Sequence, residues 1–518
     1  MCFIVLRGEA RALHPQGMTS FSLTALPLAA GEYAILRVQH VDSLSHGPQQ
    51  QVLAQGNIVP RWGPGGGFLE LRRADNSSVD LVRWGNNNES YQAISWSGEA
   101  VPALNYGTVA SSFGRNLENL DSNQASDWSI YAFATPGGPN DVPFDALDLD
   151  GDGIPDTAEQ AGGRFAGLNL YAMGARVQQK DIFIEVDYMN STDLGITPQK
   201  EALDKVVATF LKEGYHLHFD VGDAYSPSFS PQSYHLGNSQ AKVPYAPSIE
   251  QADWLAYLEG RANFYHYKAN YMEVRRLPIF HYLLMGSSRM PDGKAGSSGI
   301  AELGGNDILI SLGNWGLNAA SEANRNVLIN FQASIIMHEL GHNLNLGHGG
   351  DDAINLKPNY RSSMNYLYAL FGLGPTQDAD AGDRYYAYFG MKSVPMCGMR
   401  FSACSTDFIL DFSHGLGSDI NEARVDERLG IGYGNVWVDY DNNDAVNTSE
   451  LDLNRDGAIE VLHDFDDWAH INLPFQRHMG GTSGPGGGAR LSPLNNDMQP
   501  RISEDDIWNH YQLAKTAF

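Results

Sequence analysis

The sequence predicts a multidomain chain in which an all-β sandwich is followed by an α/β domain, with an acidic segment between them. Three observations predict it. The 518 residues suffice for roughly three or four domains at ~100–200 residues each. Short alternating apolar runs punctuated by Gly, Asn and Asp fill residues 20–140, whereas strand-like and helix-like stretches alternate from Lys180 onward. Hydrophobic residues make up 42% and charged residues 18%, the composition of a folded chain rather than a disordered one.

Taken in order, the start Phe3-Ile4-Val5-Leu6 is cut short by Arg7 and Glu9, too soon for the core of a secretory leader. Tyr33 to Val38 and Phe68 to Arg72 read as strands. Phe68 to Trp84, centred on Ala74-Asp75-Asn76-Ser77-Ser78, reads as a hairpin. Trp62, Trp84, Trp96 and Trp128 are the expected sandwich core. The turn-rich Thr135 to Asn140 closes this region, giving a first domain over 1–141 and an acidic linker over 142–179.

From 180 to 430 the pattern is α/β. Strands at 181–187 and 216–221 flank a helix at 199–212, the start of a β-α-β unit. Another strand follows at 306–312, then a long helix from about Ala320 to Asn343. The last region, 431–518, holds acidic loops, a Gly-rich stretch at 480–488 and a helix opened by Ser503 with Asp506 as its capping partner.

Charge narrows the function. With 34 Lys+Arg against 61 Asp+Glu the net charge is −27, which opposes binding to nucleic acid or anionic membranes. Nor does any run approach the ~18 apolar residues of a membrane span. The acids then serve either as a solvated surface or as clusters that hold hard cations. Of three cysteines, Cys397 and Cys404 are close enough for one disulfide, leaving Cys2 over. A bridge would imply an oxidising compartment, whereas two thiols would imply nothing.

The stretch that carries chemistry is His338-Glu339-Leu340-Gly341-His342-Asn343-Leu344-Asn345-Leu346-Gly347-His348. Residues four apart share a helix face, so His338 and His342 can aim at one ion. Glu339 sits beside them, able to reach a water without being a ligand. Catalytic zinc keeps three protein ligands and an open position. His348 can be the third if the chain turns sharply after His342, and Asn345 is the residue there best suited to a positive φ after Gly. With 16 histidines and 61 acids in 518 residues, chance matches to this pattern number on the order of 0.002.

This string resembles the long zinc-binding motif of the metzincin metalloproteases, with Asn345 in the usual Gly place. Ser362-Ser363-Met364-Asn365-Tyr366 resembles their methionine turn. The resemblance implies Zn2+ held by His338, His342 and His348, Glu339 as general base, Met364 as the floor of the site, and Tyr366 as an extra ligand or transition-state donor. It also implies peptide-bond hydrolysis by metal-activated water. Strand 306–312 stands where these proteases keep the edge strand that pairs with an extended substrate. Gly349 after the third histidine matches no subfamily signature, and no cysteine-switch segment is found upstream.

Asp148, Asp150, Asp152, Asp156 and Glu159 occupy positions 1, 3, 5, 9 and 12 of a calcium loop, with Gly153 at the sharp turn and the Ile154 carbonyl at position 7. The segment also resembles a thrombospondin type-3 repeat, and implies structural Ca2+. Asp439, Asp441, Asn443, Asn447 and Glu450 form a weaker copy, with Asp444 in the place that prefers Gly. Asp452, Asn454, Asp456 and Glu460 form another, with Gly457 in place but His463 at position 12, where Asp464 or Asp466 are the substitutes.

Ser112-Phe113-Gly114-Arg115, Asp121 to Trp128 and Thr135 to Asn140 together resemble the closing half of a lamin-tail domain, an immunoglobulin-like β-sandwich common on secreted and surface enzymes. That resemblance implies an extracellular ligand or a spacing role. Its opening strand is not evident before Phe21, and a truncated start would account for both this and the missing leader. The reading is thus a secreted or cell-surface zinc endopeptidase acting on proteins or peptides and stabilised by calcium. One alternative is a calcium-dependent adhesion protein on a non-proteolytic scaffold; another is a zinc hydrolase of non-peptide amides.

Overall fold

The computed structural model describes residues 2–7, 19–22, 29, 31–38, 50–53, 66–73, 75, 77–85, 96–103, 112–116, 121–249, 264–434 and 436–475. Trp62, the Gly-rich stretch at 480–488 and the helix expected at Ser503 and Asp506 lie outside them. The chain divides into two compact units. One holds the described residues up to Gln179 with those of 264–279, and the other those of 180–249 and 280–475.

The first unit contains strands β1 (Cys2–Arg7), β2 (Thr19–Ser22), β3 (Ile35–Val38), β4 (Gln50–Leu53), β5 (Gly66–Arg73), β6 (Ser78–Gly85), β7 (Ser112–Arg115) and β8 (Trp128–Tyr131). Its main sheet has the order β2-β1-β5-β6, while β3–β4 and β7–β8 are separate pairs. A strand therefore does precede Phe21: β1 pairs antiparallel with both β2 and β5. The expected hairpin is β5–β6, turned by Asp75, whose carboxylate accepts from Ser77 N at 2.9 Å. Trp84 is buried with Val82 and Val101, and Trp96 and Trp128 pack on them. Arg115 stacks over Trp128 and pairs with Asp80, so β7, β8 and β6 are tied by one guanidinium.

The second unit is built on β9 (Lys180–Met189), β10 (Tyr215–Asp220), β11 (Lys242–Val243), β12 (Phe280–Met285), β13 (Gly299–Ala301) and β14 (Asp307–Ile310). The order β10-β9-β12-β14-β13 is parallel except for β13, and β11 adds to the end of β9. The helix Lys200–Lys212 joins β9 to β10 and packs on β10, completing a β-α-β unit, and a second helix, Glu322–Asn343, packs over β13 and β14. Alternation explains the docking: Ile182, Ile184, Val186 and Tyr188 of β9 enter one core with Leu203, Val206 and Phe210 of the first helix and Phe331, Ile335 and Ile336 of the second. Each such fully buried side chain contributes roughly 1.5–3 kcal/mol.

Two expectations are corrected here. The strand at 306–312 is not the sheet edge, because β14 is paired on both sides and, among the described residues, the three-residue β13 is the edge beyond it. Nor does a boundary fall at 430. Val438, Tyr440, Leu453, Leu462 and Trp468 of the acidic-loop region belong to the same core as the helices, since apolar residues between the loops are spaced to reach it. Among the described residues, no helix is long and apolar enough to cross a membrane.

Candidate metal centre

The site begins with the helix Glu322–Asn343. Ser321 caps it by accepting from Asn324 N at 3.1 Å, and Glu322 adds negative charge to the first turn. The helix is buried nearly all round, which a single apolar stripe would not predict. Its buried polar residues explain how. Asn326, Asn330, Ser334 and His338 stand four apart on one stripe and each donates to a carbonyl of the downstream chain. The acceptors are Cys404, then Ala403 and Ser405, then Ala369, then Ser363. That downstream wall is closed by a Cys397–Cys404 disulfide.

The helix ends where the ligand pattern requires a turn. Leu344 N donates to Leu340 O and Leu346 N to Gly341 O, both at 2.9 Å, and Asn345 takes φ +74°, the left-handed conformation expected of it. The chain returns so that ligand atoms of His338, His342 and His348 all lie within 4.8 Å of one another. Beyond His348, Lys357, fully buried, pins the loop by donating to Gly349 O at 2.6 Å and Asp352 at 2.9 Å.

Tautomers follow from the acceptors. His338 Nδ1 faces Ser363 O at 2.7 Å and His342 Nδ1 faces Leu346 O at 2.8 Å. A carbonyl only accepts, so both Nδ1 atoms carry the proton and both Nε2 atoms present a lone pair. His342 Nε2 and His348 Nε2 stand 3.0 Å apart. Tetrahedral zinc with nitrogens at about 2.05 Å places neighbouring ligand atoms ~3.3 Å apart, so the donor set fits such an ion. Burial pushes His338 down to about 3 and His342 to about 4, with the neighbouring imidazole adding to the first, and lowers His348 well below the usual histidine range. The three are neutral at physiological pH, the form a metal needs.

Met364 is fully buried beneath the helix, where a Cβ at Gly341 would collide with its Sδ. Glycine at 341 is therefore the residue that lets the methionine turn seat. Tyr366 lies beside two of the histidines, its ring 4.4 Å from that of His348 and 5.6 Å from that of His338. Glu339 is 2% exposed and lies against Gly299 of β13, where an added Cβ would stand 2.5 Å from its Oε1. Asp467, absent from the sequence reading, anchors the methionine turn by accepting from Ser362 Oγ at 2.6 Å and from Tyr360 at 2.8 Å. Nothing in its spacing marks it.

The acidic loops share one backbone. Positions 4 and 6 have positive φ in all three: Gly151 and Gly153, Asn442 and Asp444, Arg455 and Gly457. The first carboxylate accepts from the N–H at position 6 in each, from Asp148 to Gly153 at 2.9 Å, Asp439 to Asp444 at 3.3 Å and Asp452 to Gly457 at 2.9 Å. Asp444 thus takes the turn conformation without being glycine. In the first loop Asp148, Asp150 and Asp152 gather within 4.8 Å, and an oxygen of Glu159 lies equally near one of Asp152. Asp156 instead accepts from Leu149 N at 3.0 Å, and Ile154 is buried with its N–H on Asp152.

In the second loop the third carboxylate is not Glu450, which is exposed, but Glu427, gathered with Asp439 and Asp441. Glu427 also accepts from Tyr440 N at 2.7 Å and Asn447 N at 3.1 Å, and Lys392 pairs with Asp439 at 3.1 Å. Asn443 and Asn447 turn their amides to Asp441. In the third loop Asn454 bonds Asp456 at 3.0 Å, while Glu422 accepts from Leu453 N at 2.6 Å and from Glu460 N at 3.1 Å. Asp464 and Asp466 do not substitute at position 12: Ser413, Gly417 and Tyr433 occupy the first, and Ala469 N the second. Glu422 and Glu427 come from a separate segment, and loop spacing could not reveal them. No protein-family model matches the chain, and no curated protein matches it at a significant level.

Proposed function

We propose that this chain is a secreted, zinc-dependent endopeptidase of metzincin type, stabilised by calcium. The observation that carries the reading is the convergence of three neutral imidazoles, with the buried Glu339 next to the first of them in the helix. Zinc held by His338, His342 and His348 would supply the Lewis acidity that makes water nucleophilic near neutrality. Glu339 takes a proton from the attacking water as the C–O bond forms, and returns it to the amine nitrogen as the C–N bond breaks. Met364 supports the histidines from below, and Tyr366 stands where it can steady the developing oxyanion. The outer side of β13, which pairs with no other strand among the described residues, offers backbone groups to an extended peptide.

The disulfide supports an oxidising compartment, and the shared loop backbone supports Ca2+ held by the three acidic loops. The N-terminal unit is assigned to a lamin-tail-like sandwich that binds or spaces and does no chemistry. Casein cleavage that a zinc chelator abolishes and added zinc restores is the test. Zinc-loaded protein that cleaves no member of a peptide library would overturn the reading and favour a scaffold role.

A further inference from the structure

The proposed chemistry requires more than a metal and a base, because an extended peptide held by β13 must be delivered at the right height above Glu339. β13 is bonded to β14 in the register Gly299↔Ile310, Ile300↔Leu309 and Ala301↔Ile308. Ser311 N donates to Ser298 O at 2.7 Å and Glu302 N to Asp307 O at 3.0 Å, so residues 298, 300 and 302 bond inward. In an antiparallel ladder the residues between them turn their N–H and C=O outward, which places those of Gly299 and Ala301 on the outer side, where Gly299 O accepts from Arg289 Nη1 and Ser297 Oγ, both at 3.0 Å. Gly299 is also the residue that lies against Glu339. The outer side of β13 therefore passes directly over the base.

What fixes that spacing is one side chain. Asn343, 1% exposed, follows His342 at the last position of the helix. Its Nδ2 donates to Glu302 O at 2.8 Å and Asp307 O at 3.1 Å, the two ends of the β13–β14 turn. Its Oδ1 accepts from His281 Nδ1 of β12 at 2.9 Å. Within the same turn Gly304 N donates to His342 O at 2.8 Å. Both amide hydrogens and the amide oxygen are thus used to clamp the edge hairpin and its neighbouring strand to the helix that carries the ligands. No other residue type supplies two donors and an acceptor on so short a stem.

We infer that Asn343 is a positioning residue that holds β13 in register with Glu339, and so couples turnover to the length of the bound peptide. This rests on the peptidase reading. A peptide long enough to pair with the Gly299 N–H and with Ala301 gains from the strand only while the strand is correctly placed, whereas a short one never touches it. A displacement of about 1 Å in a bound substrate costs roughly 100-fold in rate.

The test compares two peptides sharing one scissile bond, a capped dipeptide and the same sequence extended to span β13, on zinc-loaded full-length protein. With Asn343→Ala the extended peptide loses roughly 10- to 100-fold in kcat with little change in KM, while kcat/KM for the dipeptide and the zinc content hold. Should that variant fail to fold, His281→Phe removes the donor to Asn343 Oδ1 and leaves a ring at the place that meets Phe475; the same selective loss is expected, smaller in size. Equal losses for both peptides, or no loss for either, overturn the inference. Wild-type protein that binds zinc but cleaves neither peptide overturns the peptidase reading itself.

Discussion

The histidine centre and the acidic loops are both proposed ligand sets at fixed spacing, yet different things hold them. His338 is oriented by Ser363, 25 residues away, and sits in a frame of long-range bonds that reaches Asp467. The first acidic loop largely holds itself, with carboxylates accepting from N–H groups two to five residues on. One site is set by the fold before any ion arrives. The other gathers like charges, such as Asp148, Asp150 and Asp152, whose mutual repulsion a cation would relieve. Zinc removal should therefore abolish chemistry with little unfolding, and calcium removal should loosen structure first.

The largest effect tests the first half of that contrast. Glu339→Gln is expected to keep zinc, by elemental analysis, and to lose roughly 100- to 10,000-fold in kcat; near-normal turnover would remove Glu339 from its role. Next is Asp467, part of the frame under the methionine turn, where burial raises the carboxyl to about 7 from 3.8. A raised folded-state value means the native chain binds more protons between those pH values. Its stabilising contribution is complete below pH 3.8 and is lost as pH rises through 7, on the order of 4 kcal/mol in all. Asp467→Asn should flatten that part of the stability–pH curve in urea titrations, and an unchanged curve would contradict the raised value.

Removing calcium, with zinc kept present, should lower stability by about 3 kcal/mol for each loop that was held at roughly 100 times its dissociation constant. It should also open residues 145–160 and 439–460 to limited proteolysis. Calorimetry that detects no calcium uptake would eliminate the loops as cation sites. Gly341→Ala drives a methyl into Met364 and should cost about 1–3 kcal/mol in thermal unfolding, together with weakened zinc retention. The smallest effect is expected from Asn345→Gly, which relieves a positive φ and should change stability by under 1 kcal/mol without harming zinc binding.

The same contrast explains what could be read in advance. His338, Glu339, His342 and His348 were legible because helical periodicity and one left-handed residue bring near neighbours together. The loop backbones were legible for the same reason. Glu422, Glu427, Asp467 and Asn343 act across long stretches of chain, where no spacing rule operates. β13 escaped notice because three residues carry no alternation, and only pairing with β14 makes them a strand. The acidic composition after 430 suggested a separate region, yet its sparse apolar residues sit in the main core.

The stripe of Asn326, Asn330, Ser334 and His338 has one more consequence. Five bonds from four residues spaced about one turn apart key the helix to the surrounding chain as a spline keys a shaft. Inserting a single residue between Asn326 and His338 would rotate everything beyond it by about 100° and carry it ~1.5 Å along the axis. The two halves of the stripe could then no longer engage together. A side-chain substitution along this helix leaves that register intact, whereas a change in its length before the first histidine destroys it.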